Sequence, residues 1–151
     1  MKKLVIWIVE DEPMNQLLAR EALDRVKAQS SIAIETRSFN DWKWPSKTGA
    51  DQPTTANTQL PDILILDLLE GNESFQGGAY YEELRRREQA AGKKERAAFV
   101  LIWTTHEGML ESSRFVAEKK NSDQRFIALG TKAKADLERA VIDCIGRIEE
   151  A

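Results

Sequence analysis

The sequence predicts a doubly wound α/β fold, a parallel sheet with helices on both faces. Two observations carry this. Three short apolar runs, Leu4 to Val9, Ile63 to Leu69 and Phe99 to Trp103, lack the alternation of a half-exposed strand. Runs of this length suit strands buried on both faces. Helical patterns lie between them, and strand–helix alternation is the signature of a parallel sheet with crossover helices.

The elements follow in order. Leu4 to Val9 is the first strand. From Pro13 to Gln29, Leu17, Leu18, Ala22 and Val26 recur at helical spacing, and Pro13 suits a first helical turn. Ile32 to Arg37 is a weaker second strand, and Ile63 to Leu69 the third. Ala79 to Ala91 is helix-forming, and Gly92 can end that helix. After the fourth strand, Glu107 to Lys120 reads as a helix, and Phe126 to Leu129 as a weaker fifth strand. From Lys134 to the end, Leu137, Val141, Ile145 and Ile148 share one helical face. Cys144 falls within that stripe and reads as inert core.

One segment breaks the rhythm. Asn40 to Pro61 holds two tryptophans, three prolines and many Thr, Gln and Asn residues. Parallel strands need a crossover there. The composition predicts an irregular loop, about 40–61, in place of the second helix. Trp42 and Trp44 in this loop either pack down over the sheet or mark a partner site. Trp7 and Trp103 lie in strands and read as core. The Arg85-Arg86-Arg87 run reads as a solvated helix face.

The bulk properties narrow the function. The chain of 151 residues fits one domain, 1–151, with no room for an output domain. Its net charge of −3 provides no basic field for nucleic acid or an anionic membrane. One cysteine allows no internal disulfide, which fits a reducing compartment. The N-terminal apolar run is too short for a signal peptide and meets Glu10, Asp11 and Glu12 at once. No stretch approaches the roughly 20 apolar residues of a membrane span. The expected location is the cytoplasm.

In an open parallel sheet, ligands bind beyond the carboxyl ends of the strands. Past those ends lie Glu10 and Asp11, then Asp67, then Thr104 and Thr105, then Thr131 and Lys132. Clustered carboxylates favour a hard divalent cation with oxygen ligands, Mg²⁺ first. A carboxylate can act as nucleophile and form an acyl phosphate. A lysine can pair with phosphoryl oxygens, and a threonine hydroxyl can donate one more hydrogen bond. The set is coherent for phosphoryl transfer.

The order and context of these residues resemble the response-regulator receiver family. Val5-Ile6-Trp7-Ile8-Val9-Glu10-Asp11-Glu12-Pro13 is similar to that family's first strand and acidic pair. Pro61-Asp62-Ile63-Leu64-Ile65-Leu66-Asp67-Leu68 resembles its phosphoacceptor strand, Val100-Leu101-Ile102-Trp103-Thr104-Thr105 its switch-hydroxyl strand, and Ala128-Leu129-Gly130-Thr131-Lys132 its lysine strand. The resemblance spans nearly the whole chain and implies five parallel strands in the order 2-1-3-4-5. It implies that Asp67 accepts phosphate from a histidine kinase or phosphotransfer partner. Asp11 would bind Mg²⁺ directly, with Glu10 assisting through water, Asp67 contributing its carboxylate and Leu69 its backbone carbonyl. Thr104 would move toward the phosphoryl group and Lys132 would pair with it. Such a chain is a signalling switch, not an enzyme. Its signal would leave through a downstream protein target or a homodimer.

The sequence departs from the family in places. Ala133 stands where a proline usually follows the lysine, so Lys134 rivals Lys132. Leu129 stands where an aromatic switch residue is expected. Thr105 is the alternative to Thr104 by one position. His106, the sole histidine, has no nucleophile motif beside it and reads as lining the phosphate mouth or as exposed. These departures leave a phosphorylation-independent interaction module as the second reading. A third, an aspartate-nucleophile hydrolase, typically needs a second aspartate two residues after the nucleophile, and Leu69 occupies that position.

Overall fold

The computed structural model describes residues 3–39, 60–67, 77–92, 97–103, 114–129 and 133–150. They form five strands, β1 (Lys3–Val9), β2 (Ala33–Phe39), β3 (Ile63–Leu66), β4 (Phe99–Ile102) and β5 (Phe126–Ala128). Four helices accompany them: α1 (Pro13–Gln29), α2 (Gly77–Ala90), α3 (Arg114–Ser122) and α4 (Lys134–Glu150). The sheet is parallel in the order β2-β1-β3-β4-β5, as expected. Asn40 to Gln59, with Trp42 and Trp44, lies outside the described residues, and with it all but the last two positions of the expected irregular loop.

The strands are apolar without alternation because both faces are covered. Leu4, Ile6 and Ile8 of β1 point to one side, where Ala19, Ala22, Leu23 and Val26 of α1 meet Leu137, Val141, Cys144 and Ile145 of α4. Val5, Trp7 and Val9 point to the other, against Tyr80, Tyr81 and Leu84 of α2 and Val116 of α3. Fully burying one such side chain is worth about 1.5–3 kcal/mol, so these two layers supply most of the driving force. Trp7 and Trp103 are both core, as their strand positions predict.

α1 begins with Pro13 in its first turn and ends at Gln29. Its buried face differs from the expected one. Ala19, Ala22, Leu23 and Val26 form the inward stripe, Leu18 packs at its margin, and Leu17 is 49% exposed. Leu17 and Leu18 are sequence neighbours, about 100° apart on a helix, and only one of them can approach this stripe. α1 and α4 are further joined by the Arg25–Glu138 and Lys134–Glu21 ion pairs. After α2, Gly92 adopts φ 74°, a left-handed conformation that stops the helix where the sequence placed its end.

The arginine run is not one solvated face. Arg86 is exposed, but Arg85 turns inward to Glu88 at 2.8 Å and Asp123 at 2.9 Å. Glu88 is 2% exposed and also accepts the Ala98 N–H at 2.6 Å. Asp123 accepts the Tyr81 hydroxyl and the Arg125 N–H. Tyr81 packs edge-on against Phe115 and Phe126. This network ties α2 to the turn between α3 and β5 and to the start of β4, at the end of the sheet opposite the acidic residues.

Candidate functional site

Four strands, β1, β3, β4 and β5, each deliver one residue to the carboxyl edge of the sheet by a backbone hydrogen bond beyond the last paired residue. Glu10 N–H donates to the Phe39 carbonyl at 3.0 Å, and Asp67 N–H to the Val9 carbonyl at 3.2 Å. Trp103 N–H donates to Leu66 at 3.0 Å and Leu129 N–H to Ile102 at 2.9 Å. Val9 pairs with Leu66 in register, so Glu10 and Asp67 occupy the next rung side by side. The sheet therefore extends its ladder one step past the strands and fixes the acids there.

Glu10 is 2% exposed and Asp67 5% exposed. Two buried carboxylates on neighbouring strands would repel one another unless a cation or hydrogen-bond donors offset their charge. Glu10 folds back over the turn, and its Oε2 accepts the Glu12 N–H at 3.1 Å. Asp11 follows on the same turn and is half-buried. Glu10, Asp11 and Asp67 each have an interaction partner beyond these bonds.

The turn carrying the acids is braced by a residue that the sequence reading passed over. Gln16, one turn into α1, donates from Nε2 to the Glu10 carbonyl at 2.7 Å and to the Phe39 carbonyl at 3.4 Å. Its signal in the sequence is slight: a polar side chain on the first turn and a half after the acids.

Three sequence-predicted site residues, Leu69, Thr104 and Lys132, lie outside the described residues, as do Thr105, Thr131 and His106. The rival lysine, Lys134, starts α4 and pairs with Glu21 of α1 at 3.2 Å. Among the described residues, no three acidic, histidine or cysteine side chains group as a metal centre. Glu10 and Asp67 are brought together; Asp11 does not complete a three-carboxylate cluster with them. A hard cation at this edge would take the rest of its oxygen ligands from backbone and water, a shell that suits Mg²⁺.

No protein-family model matches the sequence, and no curated protein does either. Solved structures do match. The chain is similar to the Mn²⁺-bound form of response regulator Rcp1, with 21% identity over 91% of this chain and 88% of that one, at a TM-score of 0.59. A two-component response regulator from Cytophaga hutchinsonii matches over 100% of both chains at a TM-score of 0.64 and 10% identity. The phosphorylated cyanobacterial phytochrome response regulator RcpA matches at 22% identity over 97% of this chain and 92% of that one, with a TM-score of 0.55. The fold is thus the one that response-regulator receiver domains share.

Among the described residues, no helix is long and apolar enough to cross a membrane.

Proposed function

We propose that this chain is a receiver switch, phosphorylated on Asp67 by the phosphohistidine of a kinase or phosphotransfer protein. The observation that supports this most is the pair of buried carboxylates, Glu10 and Asp67, on adjacent rungs at the sheet's carboxyl edge. A carboxylate oxygen of Asp67 attacks phosphorus, a P–O bond forms, and the P–N bond to the donor imidazole breaks. The imidazole leaves with the electron pair and takes up a proton. Asp11 and Asp67, with the Leu69 carbonyl and Glu10 through water, would hold Mg²⁺, which supplies charge neutralisation for the incoming phosphoryl oxygens. A Mn²⁺-bound response regulator of the same fold supports a divalent cation here.

Thr104 then donates to the phosphoryl group and Lys132 pairs with it, in the manner of the family. The added charge biases the region of α3, β5 and α4 and changes its affinity for a downstream protein or a second copy. The chain acts as one domain in the cytoplasm and signals by contact rather than by turnover.

The test is incubation with Mg²⁺ and acetyl phosphate, followed by intact mass. The expected result is a gain of one phosphoryl unit by the wild type and none by Asp67→Asn. If neither the small donor nor a cognate kinase modifies the wild type, the phosphorylation-independent interaction module takes its place. Sustained phosphate release from an aryl phosphate would instead favour the hydrolase.

A further inference from the structure

Resting on the receiver reading above, we propose that Gln16 is a positioning residue for the cation site. Its one amide nitrogen reaches two backbone carbonyls, those of Glu10 at 2.7 Å and Phe39 at 3.4 Å. The Phe39 carbonyl also accepts the Glu10 N–H. Glu10 is therefore held at both ends of its backbone, by β2 through its N–H and by α1 through its carbonyl. Its carboxylate is bent back onto the Glu12 N–H. These bonds set the path of the chain through Glu10 and into Asp11, and so the distance of both acids from Asp67.

The geometry has a physical purpose. Carboxylates that share one edge push the turn open when no cation is bound. A turn that opens must be closed again by the cation, and the cost appears as lost affinity. Gln16 closes it beforehand. It also joins three elements at one point, because α1, the β1 end and the β2 end meet at this amide. The side chain touches no reacting atom, so its effect passes through Glu10 and Asp11.

Gln16→Met removes both donated bonds while keeping length and helix preference, and Gln16→Glu keeps the shape but turns an acceptor toward two acceptors. The two variants separate positioning from charge. A simple electrostatic role predicts that Gln16→Glu, with an added carboxylate near the acids, binds a divalent cation more tightly. Positioning predicts weaker binding in both. Mn²⁺ affinity of the full chain, measured by calorimetry, should fall about fivefold for Gln16→Met, the worth of roughly one net hydrogen bond, and at least as far for Gln16→Glu. Saturating Mn²⁺ should restore the acetyl phosphate reaction of both variants to the wild-type rate. Unchanged or tighter binding by Gln16→Glu overturns the proposal. If Gln16→Met fails to fold, Gln16→Glu alone decides. A wild type that binds no Mn²⁺ defeats the receiver reading itself, which is a different outcome from variants that bind as well as it does.

Discussion

Asp67 and Glu10 are neighbours because the Asp67 N–H reaches the carbonyl of Val9, the residue before Glu10, at 3.2 Å. The sheet's own ladder thus sets two buried carboxylates beside each other, before any side chain chooses a rotamer. Placement by backbone is more rigid than placement by loop.

Two buried carboxylates on one rung cost stability to the extent that their partners leave the charge uncompensated, and one substitution measures this. Asp67→Asn removes one of two buried carboxylates. The metal-free variant should melt higher than the metal-free wild type by about 2–4 °C, the shift expected for roughly 1 kcal/mol in a domain of this size. Mg²⁺ should raise the melting point of the wild type more than that of Asp67→Asn. Calorimetry with and without Mg²⁺ checks both; a lower melting point for the metal-free variant would show that Asp67 is stabilised by its partners rather than opposed by Glu10.

Glu88 is the larger structural liability. It is buried and satisfies both Arg85 and the Ala98 N–H. Glu88→Ala leaves a largely buried guanidinium and a backbone donor without that acceptor, and should cost about 3–5 kcal/mol in urea unfolding. A loss below 1 kcal/mol, on the order of an exposed pair, would mean that water enters and replaces the carboxylate.

Tyr81 should give a measurable alkaline signature. Burial first, and then the bond to Asp123, push its hydroxyl from 10.0 up to about 12. Its stabilisation is therefore complete below pH 10 and declines as pH rises through about 12, because the unfolded tyrosine gives up its proton first. At neutral pH, Tyr81→Phe should lose about 1.5–3 kcal/mol, the range for a hydrogen bond to a charged group. The gap between variant and wild type should narrow across the alkaline window. A gap that stays constant there would place the Tyr81 hydroxyl in an ordinary environment.

Cys144 should resist alkylation. Burial first, with Asp143 adding to it, raises its thiol to about 12, and the side chain lies in the α1–α4 core. Reaction with iodoacetamide at pH 8 should be negligible in the folded protein and rapid in urea. Labelling of the native chain at a rate near that of a free thiol would reveal local opening of α4.

Leu17 and Leu23 of α1 test the corrected helix face. Leu23→Ala, in the core, should cost about 2–5 kcal/mol, and Leu17→Ala less than about 0.5 kcal/mol. Equal losses would return Leu17 to the core.

The sheet was the most legible part of this chain. Runs such as Val5 to Val9 and Ile63 to Leu66 are apolar at every position, and only a strand covered on both faces needs that. The start and end of α1 and the stop at Gly92 were legible for a similar reason, since Pro13 and Gly92 act through their own backbones. Leu17 was misread because a helix's buried face depends on what α4 and the sheet present to it, and periodicity alone does not say where the stripe is centred. Arg85 was misread because its partner Asp123 and its co-partner Ala98 through Glu88 come from other elements. At the edge, the acids themselves could be found because charge directly after an apolar strand is conspicuous. Gln16 could not be found that way. Its role lies in reaching two carbonyls, one of which comes from the far strand β2.

The ladder that steps one rung past β1, β3, β4 and β5 also bears on how the protein matures. Every step joins strands distant along the chain: Glu10 needs β2 in place, Asp67 needs β1, Trp103 needs β3 and Leu129 needs β4. Pairings of that kind form late and slowly, because long loops must close before they are rewarded. A nascent or partly folded chain therefore carries the acids without their arrangement. Assembly of the acidic edge and completion of the sheet become one event.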